Sequence, residues 1–378
     1  RSIISLCLMT GNIGRPGTGL HPLRGQNNVQ GASDAGLIPM SYPDYQSVAD
    51  DDTRARFEAA WGTSLDPKPG LTTTEIIDAA CDGGVRGMYI LGENPFWSDP
   101  NTNHVRDGLG KLDFLVVQDI FFTETAEFAD VILPATSALE KTGSFTNTDR
   151  RVQLGRPVLE PPGQARVDWQ IICEISERMG YPMKYADPAA IFDEWVSLTP
   201  SYQGLAHHNL GPTGKNYPCP DPETSEGTIV MFGDGFPTED GRARFVAVEH
   251  SGADELPDRV YPLILVTGRV LEHWHTGGMT RRSKALDAIE PDAFVSIHPL
   301  DAEQRGISQG DWVEIRSRRG QIRLETRIET ATQPGSIFIP FHFREAGANI
   351  LTTDKLDPDG KIPEFKFCAV EVGLAGAD

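Results

Sequence analysis

The chain has 378 residues, of which 39% are hydrophobic and 23% charged, and its formal net charge is −20 at pH 7. This length allows two or three domains with sizeable cores. The acidic balance argues against a surface for nucleic acid or an anionic membrane, because both require a positive patch. No apolar run is long enough to predict a membrane span.

Cysteine usage bears on metal sites and on the cellular compartment. The five cysteines are scattered along the chain, at Cys7, Cys81, Cys173, Cys219 and Cys368. Without a Cys-x-x-Cys pair they argue against a zinc or iron–sulfur site made by this chain alone. They also form no disulfide framework, so we expect a reducing, cytoplasmic location.

The first segment predicts a helix followed by a glycine-rich turn. Residues 3–10 are typical of the last turns of a buried helix, and the chain starts with arginine rather than methionine, so we expect the polypeptide to begin upstream. The glycines from Gly11 to Gly19 predict a helix stop. Their spacing is close to that of a phosphate-binding loop, but Leu20 and His21 follow where lysine and serine or threonine are required.

The stretch Arg24–Gly31 contains one cation, four carboxamides and two glycines. With a single apolar side chain it is a poor strand or core helix, and a polar surface loop is one interpretation. A binding loop is the other. A guanidinium offers a planar fork to a carboxylate or phosphate, carboxamides offer donors and acceptors, and glycines allow close approach of the backbone. The residues alone leave both interpretations open.

Residues 31–134 change from a loop-rich segment to alternating helices and strands. Four prolines between Gly31 and Pro69 make a long regular element unexpected there. A capping box at Thr72 and Glu75 predicts the start of a short helix. A second helix is predicted near residues 103–109, and the predicted strands are Met88–Leu91, Phe114–Val117 and Val131–Leu133. This alternation predicts an α/β fold with a doubly wound parallel sheet.

Polar residues follow two of these strands. Parallel sheets bind ligands beyond the C-terminal ends of their strands, where Gly92–Pro95 and Asp119 lie. Asp119 could contact a ribose or a base edge there, or it could cap a helix.

The middle of the chain carries less functional signal. Glu140–Arg156 is polar and basic, and we interpret it as a surface loop. Asp168–Met179 predicts a helix with an apolar core face. His207 and His208 are adjacent in a loop without further metal ligands, which favours solvent exposure over metal binding.

From Tyr261 onward, many short strands with one short helix predict a closed β-barrel. The strands are expected at Leu263–Thr267, Phe294–Ile297, Trp312–Ser317, Gln321–Ile328, Ser336–Phe341 and Phe367–Val372, with a hairpin turn at Ser317–Gly320. After the first strand come Arg269 and a segment with histidines and small residues. This composition indicates a phosphate cradle.

Arg24–Gly31 resembles the segment carrying the active-site arginine of metal-dependent formate dehydrogenases, which belong to the dimethylsulfoxide reductase family of molybdenum or tungsten bis-pterin enzymes. The resemblance continues through Asp119, Arg269–Arg282 and Phe365–Val370, and corresponds to the C-terminal part of a catalytic subunit. It implies that residues 1–30 end an upstream α/β domain, that 31–250 form an α/β pterin-guanine binding region, and that 251–378 form a double-psi β-barrel.

The resemblance also implies a cofactor, a substrate and site residues. The cofactor would be bis-molybdopterin guanine dinucleotide with molybdenum or tungsten, and the reaction would convert formate to carbon dioxide. Arg24 would be the catalytic residue, holding formate with its C–H directed at the metal. The implied cofactor-binding residues are Gln26, Gly92, Glu93, Asn94, Asp119, Arg269, His273, Thr276, Met279, His342, Asn349 and Lys366.

Part of such an active site lies outside this sequence. The family's cysteine or selenocysteine metal ligand and its iron–sulfur cluster are expected in the N-terminal half of the same subunit, if the native polypeptide is longer, or else in a partner chain that completes the site. Electrons would pass to iron–sulfur and flavin diaphorase-type subunits that reduce NAD or another acceptor. Two alternatives stay open: a relative such as a nitrate reductase, because His273–Arg282 is similar to those enzymes too, or a non-catalytic scaffold of the same fold. The intact Arg24 motif favours formate.

Overall fold

The computed structural model describes residues 1–223 and 226–376. Ten α-helices lie within these residues: Ser2–Met9 (α1), Val29–Asp34 (α2), Asp51–Trp61 (α3), Thr73–Cys81 (α4), Pro95–Ser98 (α5), Thr102–Gly110 (α6), Asp168–Arg178 (α7), Pro188–Ser197 (α8), Lys284–Ile289 (α9) and Pro299–Arg305 (α10). The strands there are Ser41–Tyr42 (β1), Gln46–Ser47 (β2), Gly87–Leu91 (β3), Phe114–Asp119 (β4), Val131–Pro134 (β5), Gly143–Thr146 (β6), Arg151–Gly155 (β7), Lys215–Asn216 (β8), Leu263–Gly268 (β9), Phe294–Ile297 (β10), Trp312–Arg316 (β11), Gln321–Ile328 (β12), Ser336–Pro340 (β13) and Cys368–Leu374 (β14).

These elements form two compact units. The first unit comprises Arg1–Gly70 with the described residues of Ala135–His250, and the second comprises Leu71–Pro134 with those from Ser251 onward. Residues 71–134 group with the C-terminal residues, and among the contacts between the two segments the Asn349 side chain donates to the Trp97 and Ser98 carbonyls at 3.1 and 3.2 Å.

The second unit contains the expected parallel sheet. Strands β3, β4 and β5 lie side by side in that order, with every pair parallel. Its core includes Ile90, Val117 and Leu109, all buried. The predicted capping box is present at the start of α4, where the Glu75 carboxylate accepts from the Thr72 amide at 2.9 Å. The sheet therefore directs the segments after Leu91 and Asp119 to one edge.

The same unit contains the expected barrel. Strands β10, β12, β11, β14, β9 and β13 form a closed ring in that order, which confirms the prediction of a closed barrel. Alternate side chains such as Val313, Ile315 and Leu265 are fully buried inside it, as the period of two of a β-strand requires. The hairpin turn is also confirmed, because the Ser317 amide donates to the Gly320 carbonyl at 2.9 Å.

In the first unit the structure corrects three sequence expectations. Glu140–Arg156 is largely an antiparallel hairpin of β6 and β7 rather than a loop. The segment between Gly31 and Pro69 contains α3, which Asp50 caps by accepting from the Thr53 amide at 2.8 Å. Its prolines flank this helix without entering it. Helix α1 has no buried residue in the described structure, so the expected buried helix is exposed.

No helix of residues 1–223 and 226–376 has the length and apolarity needed to cross a membrane.

Candidate functional site

Arg269 and Lys366 form an unpaired cationic group at the end of the barrel. The Arg269 guanidinium lies 5.0 Å from the ring centre of Trp274 and 5.7 Å from that of Phe341. The Lys366 ammonium lies 5.8 Å from the Phe341 ring and donates to the Thr267 carbonyl at 2.5 Å. Within the described residues, neither cation forms an ion pair with a carboxylate. Partial burial and the nearby Arg269 charge both lower the pKa of Lys366, so an anion bound here would relieve the repulsion.

His273 and His342 brace the segment that follows Arg269. Both side chains are 2% exposed. His342 Nε2 accepts from the Val270 amide at 3.0 Å, and its Nδ1 donates to the His275 carbonyl. His273 Nε2 donates to the Glu290 carbonyl at 2.7 Å. Both histidines are among the implied cofactor-binding residues, and these ring nitrogens bind backbone groups.

The electrostatics of His342 agree with this bracing role. Burial lowers its pKa to about 4, the hydrogen bond to the His275 carbonyl opposes this shift, and the charges of His273, Arg269 and His275 add to it. The ring is therefore neutral at pH 7, with its proton on Nδ1 as the hydrogen bond to His275 requires. Burial also lowers the pKa of His275, and Arg269 again contributes. The fixed positive charge at this end of the barrel comes from Arg269 and Lys366.

Glycines let the backbone come close to this group. Gly277 has φ +75°, and a Cβ built there would lie 2.9 Å from the His342 carbonyl oxygen. A side chain at residue 268 would meet the Phe338 ring at 2.3 Å. Both positions accept only glycine without rearrangement. Thr276 is half-buried beside Gly277, whereas Met279 is exposed.

The edge of the parallel sheet presents carboxylates. Gly92 has φ +65° and donates its amide to the Gln118 carbonyl at 2.9 Å, which turns the chain after β3. Desolvation raises the pKa of Glu93, and the charge of Asp119 raises it further. Asp119 also accepts from the Ile120 amide at 2.6 Å and the Phe121 amide at 3.4 Å, but no helix of the described residues begins there, so it does not act as the helix cap that the sequence had left open.

Two other predicted residues are used inside the fold. The buried Asn94 side chain accepts from the Thr125 amide at 3.1 Å and hydroxyl at 2.7 Å. The buried Asn349 bonds to the last two residues of α5, as described above. Sequence reasoning missed the contact that Arg282 makes with the sheet edge: its guanidinium lies 4.8 Å from the Phe121 ring and donates to the Phe122 carbonyl at 2.7 Å. That contact joins the segment Arg269–Arg282 to the residues that follow Asp119.

Arg24 and Gln26 belong to the first unit and are exposed. Arg24 makes no hydrogen bond or ion pair within the described residues. It lines a cavity of about 370 Å³ together with Gln26, Asn27 and residues 146–149. A free guanidinium surrounded by carboxamides fits a small carboxylate.

The end of this loop is tightly built, and here the structure differs from the sequence interpretation. The last residues of the Arg24–Gly31 stretch begin helix α2 rather than continuing as loop. Asn28 has φ 63°, and its side-chain oxygen accepts from the Thr146 amide at 2.9 Å. A Cβ at Gly31 would lie 2.1 Å from that oxygen, so only glycine leaves room for the bond.

Comparisons with known proteins identify the class. Residues 1–178 match the family described as "Molybdopterin oxidoreductase", and residues 263–369 match the "Molydopterin dinucleotide binding domain". The chain therefore belongs to the molybdopterin oxidoreductases.

Its relatives include formate dehydrogenases. The chain is 48% identical over 374 residues to the F420-dependent formate dehydrogenase subunit alpha of Methanocaldococcus jannaschii, covering 98% of this chain and 55% of the relative. It is 39% identical to formate dehydrogenase H of Escherichia coli, covering 98% and 53%. It thus spans about half the length of these curated relatives. Acetylene hydratase from Pelobacter acetylenicus shares the fold, with a TM-score of 0.68 at 19% identity over 91% of this chain and 52% of the other.

The residues at the barrel end fit a phosphorylated pterin. Arg269 and Lys366 lack carboxylate partners in the described structure, and aromatic rings flank them. Phosphate groups require such donors. Among residues 1–223 and 226–376, no group of three or more His, Cys, Asp or Glu side chains is arranged to hold a metal ion.

Proposed function

We propose that this chain is part of the catalytic subunit of a molybdenum- or tungsten-dependent formate dehydrogenase and supplies its substrate arginine and much of its cofactor cradle. The observation that carries the proposal is Arg24, a cation without a partner in the described structure, at a cavity walled by carboxamides. Relatives that are 39–48% identical over nearly the whole chain are named formate dehydrogenases, which supports formate over nitrate as the substrate.

Arg24 suits formate because of charge and shape. Formate carries one negative charge, whereas carbon dioxide is neutral, so a fixed cation favours the substrate without retaining the product. A guanidinium can donate to both carboxylate oxygens at once, and this leaves the C–H as the free end of the molecule. Gln26, which also lines the cavity, adds a neutral donor and acceptor beside it.

The second unit holds the cofactor in this proposal. When bound, the cofactor's metal supplies the acceptor for the two electrons that formate gives up. Arg269 and Lys366 would neutralise phosphate oxygens, and the Thr276 hydroxyl would donate a hydrogen bond. Glu93 and Asp119 would accept from the donor edge of guanine. The functions of His273, His342 and Asn349 would be to hold these loops in place.

The remaining parts of the reaction rest on the family resemblance. They are a metal ligand and an iron–sulfur cluster in the N-terminal half of the same subunit, and diaphorase-type partner subunits. NAD is one candidate for the final acceptor. Another is F420, since the Methanocaldococcus jannaschii relative is described as F420-dependent. A cytoplasmic location remains a prediction from cysteine usage.

The test is formate-dependent reduction of a viologen dye by the full-length enzyme and its Arg24→Lys variant. Lysine keeps the charge but loses the fork, so we expect turnover to fall by about 100-fold or more. Metal and pterin contents should stay at wild-type levels, because Arg24 does not belong to the cofactor cradle.

Unchanged formate turnover in Arg24→Lys would contradict the role of Arg24. A wild-type enzyme that holds metal and pterin but reduces nitrate with reduced dye, and does not oxidise formate, would favour the nitrate reductase alternative. A full-length protein that binds no pterin would favour the non-catalytic scaffold.

A further inference from the structure

A buried carboxylate lies behind the Arg24 loop, on helix α2. Asp34 is 1% exposed. Its Oδ2 accepts from the Tyr202 hydroxyl at 2.5 Å, and its Oδ1 accepts from Gln30 Nε2 at 2.8 Å and from the Tyr217 hydroxyl at 3.2 Å. Burial raises the pKa of Asp34, and these hydrogen bonds oppose the rise. A buried carboxylate with this many donors holds its partners firmly, because losing it would leave each of them unpaired.

Gln30 is the link between this carboxylate and the loop. It is 8% exposed, and besides Asp34 its Nε2 donates to the hydroxyls of Tyr45 at 3.1 Å and Tyr217 at 2.8 Å. These hydrogen bonds therefore hold the side-chain amide of Gln30 in one orientation. Tyr45, Tyr202 and Tyr217 come from distant parts of the first unit, so the cluster ties α2 to several segments at once.

The turn that presents Tyr45 is strained. Asp44 and Tyr45 are consecutive non-glycine residues with φ of 64° and 56°. Such a backbone conformation is unfavourable for a residue with a side chain, and it persists only where surrounding contacts require it. The Asp44 carboxylate supplies such contacts by accepting from the Ser201 amide at 3.0 Å and hydroxyl at 2.6 Å. The fold thus accepts local strain to place the Tyr45 hydroxyl at Gln30.

The Arg24 loop ends directly at this cluster. Gln30 lines the same cavity as Arg24. The Arg24 charge also reaches Tyr45: burial raises the pKa of that hydroxyl most, Asp34 raises it further, and Arg24 lowers it. Because residues 24–27 are exposed, the cluster and the Asn28–Thr146 bond fix the C-terminal side of the loop, and a hydrogen bond of 2.7 Å between His21 Nε2 and the Thr148 hydroxyl holds its N-terminal side.

We propose that Asp34, acting through Gln30, is a positioning residue that fixes the Arg24 loop in its substrate-binding conformation. This inference rests on the proposed function of Arg24 and adds a residue outside the cofactor cradle and the substrate cavity. Asp34 does not touch substrate in this account. It sets the direction in which α2, and with it the end of the Arg24 loop, leaves the core.

The test compares Asp34→Ala and Asp34→Asn in the full-length enzyme. Alanine leaves Gln30, Tyr202 and Tyr217 without their acceptor, so we expect the formate KM to rise and kcat/KM to fall by about 100-fold. Asparagine keeps an acceptor for Gln30, and the Tyr202 hydroxyl can reverse to accept from the new amide. This variant should retain most of kcat/KM.

Asp187→Ala is the matched control, because Asp187 caps helix α8 in the same unit by accepting from the Ala190 amide at 3.0 Å. Its loss should lower stability and the yield of active enzyme without changing the formate KM. If Asp34→Ala does not fold, the formate KM of Tyr45→Phe tests the inference instead. It removes one hydroxyl from a partly exposed ring, so we expect the KM to rise about fivefold. An unchanged KM there would overturn the inference.

A double-mutant cycle with Arg24→Lys separates the two proposals. Once Arg24 is replaced, misplacing its loop should cost little, so the losses of the two single variants should combine less than additively. Additive losses, or an unchanged KM in Asp34→Ala, would overturn the positioning role alone. An unaffected Arg24→Lys variant would overturn the proposed function together with this inference.

Discussion

The cations of the two units are presented in different ways. Arg269 and Lys366 lie at the end of a closed barrel, against aromatic rings and beside a loop that the buried His273 and His342 clamp to the backbone. Arg24 lies on an exposed loop that is held at its two ends, by the His21–Thr148 and Asn28–Thr146 hydrogen bonds. A rigid cradle suits a resident cofactor, whereas a loop anchored at its ends suits a small substrate that must enter and leave.

The largest effect should come from reversing a charge in the rigid cradle. In Arg269→Glu, two charge-assisted bonds to phosphate would be replaced by repulsion. We expect the binding free energy to fall by about 3 kcal/mol, which weakens cofactor binding by ~100-fold or more. We therefore expect the purified variant to lose most of its pterin and metal, as measured by pterin fluorescence and elemental analysis, whereas Arg24→Lys keeps both.

Lys284→Glu is the control for Arg269→Glu, because it makes the same change of charge on exposed helix α9 of the same unit. It should leave pterin content unchanged. Equal cofactor loss in both variants would mean that net charge, rather than the cradle, decides binding.

The difference between the regions also explains what could be predicted from the sequence. The barrel strands were predicted almost residue by residue, because alternating burial is a local pattern. Helix α3 was missed because prolines on both sides outweighed its own signals, although Asp50 and Gly62 stand at its ends as an N-cap and a C-cap.

The bracing roles depended on contacts that no local pattern shows. His273 binds the Glu290 carbonyl and His342 binds the Val270 amide, and neither partner can be identified from spacing. Asp34 meets Tyr202 across 168 positions of sequence. A family resemblance names residues near a site, but it does not say whether a side chain faces the ligand or holds the loop that does.

An effect of intermediate size should appear in the pH dependence of stability, because His342 titrates. The folded pKa of His342 is about 4, below its ordinary value near 6.5, so the unfolded chain binds the proton more readily. The stabilisation is fully present above pH 6.5 and is lost as pH falls from about 6.5 to about 4, by about 3 kcal/mol at most. Unfolding midpoints in urea, measured between pH 7.5 and 4.5, should show this fall.

The His342→Asn variant tests whether the loss of stability at low pH comes from His342. Asparagine can still donate to the His275 carbonyl but does not titrate, and it leaves the Val270 amide without its acceptor. The variant should be less stable than the wild type at pH 7.5, and the gap should close towards pH 4.5. A gap that is constant with pH would show that His342 does not carry the titration.

The smallest effect, on the formate KM, should come from disturbing the Asn28–Thr146 hydrogen bond at the end of the Arg24 loop. In Gly31→Ala, the new methyl group would lie 2.1 Å from the Asn28 side-chain oxygen and displace it from the Thr146 amide. Loss of one partly buried hydrogen bond costs about 1 kcal/mol, so we expect the formate KM to rise about fivefold with the cofactor content unchanged.

Gly143→Ala is the matched control, because a Cβ at residue 143 of the same unit meets nothing within 4 Å. It should leave the formate KM unchanged. If Gly31→Ala leaves the formate KM as unchanged as Gly143→Ala does, the Asn28–Thr146 bond does not anchor the loop. The contrast between an anchored Arg24 loop and a rigid cofactor cradle would then be wrong. A raised KM in Gly31→Ala alone, with pterin and metal retained, would place the anchor at Asn28 and make the substrate loop separable from the cofactor cradle.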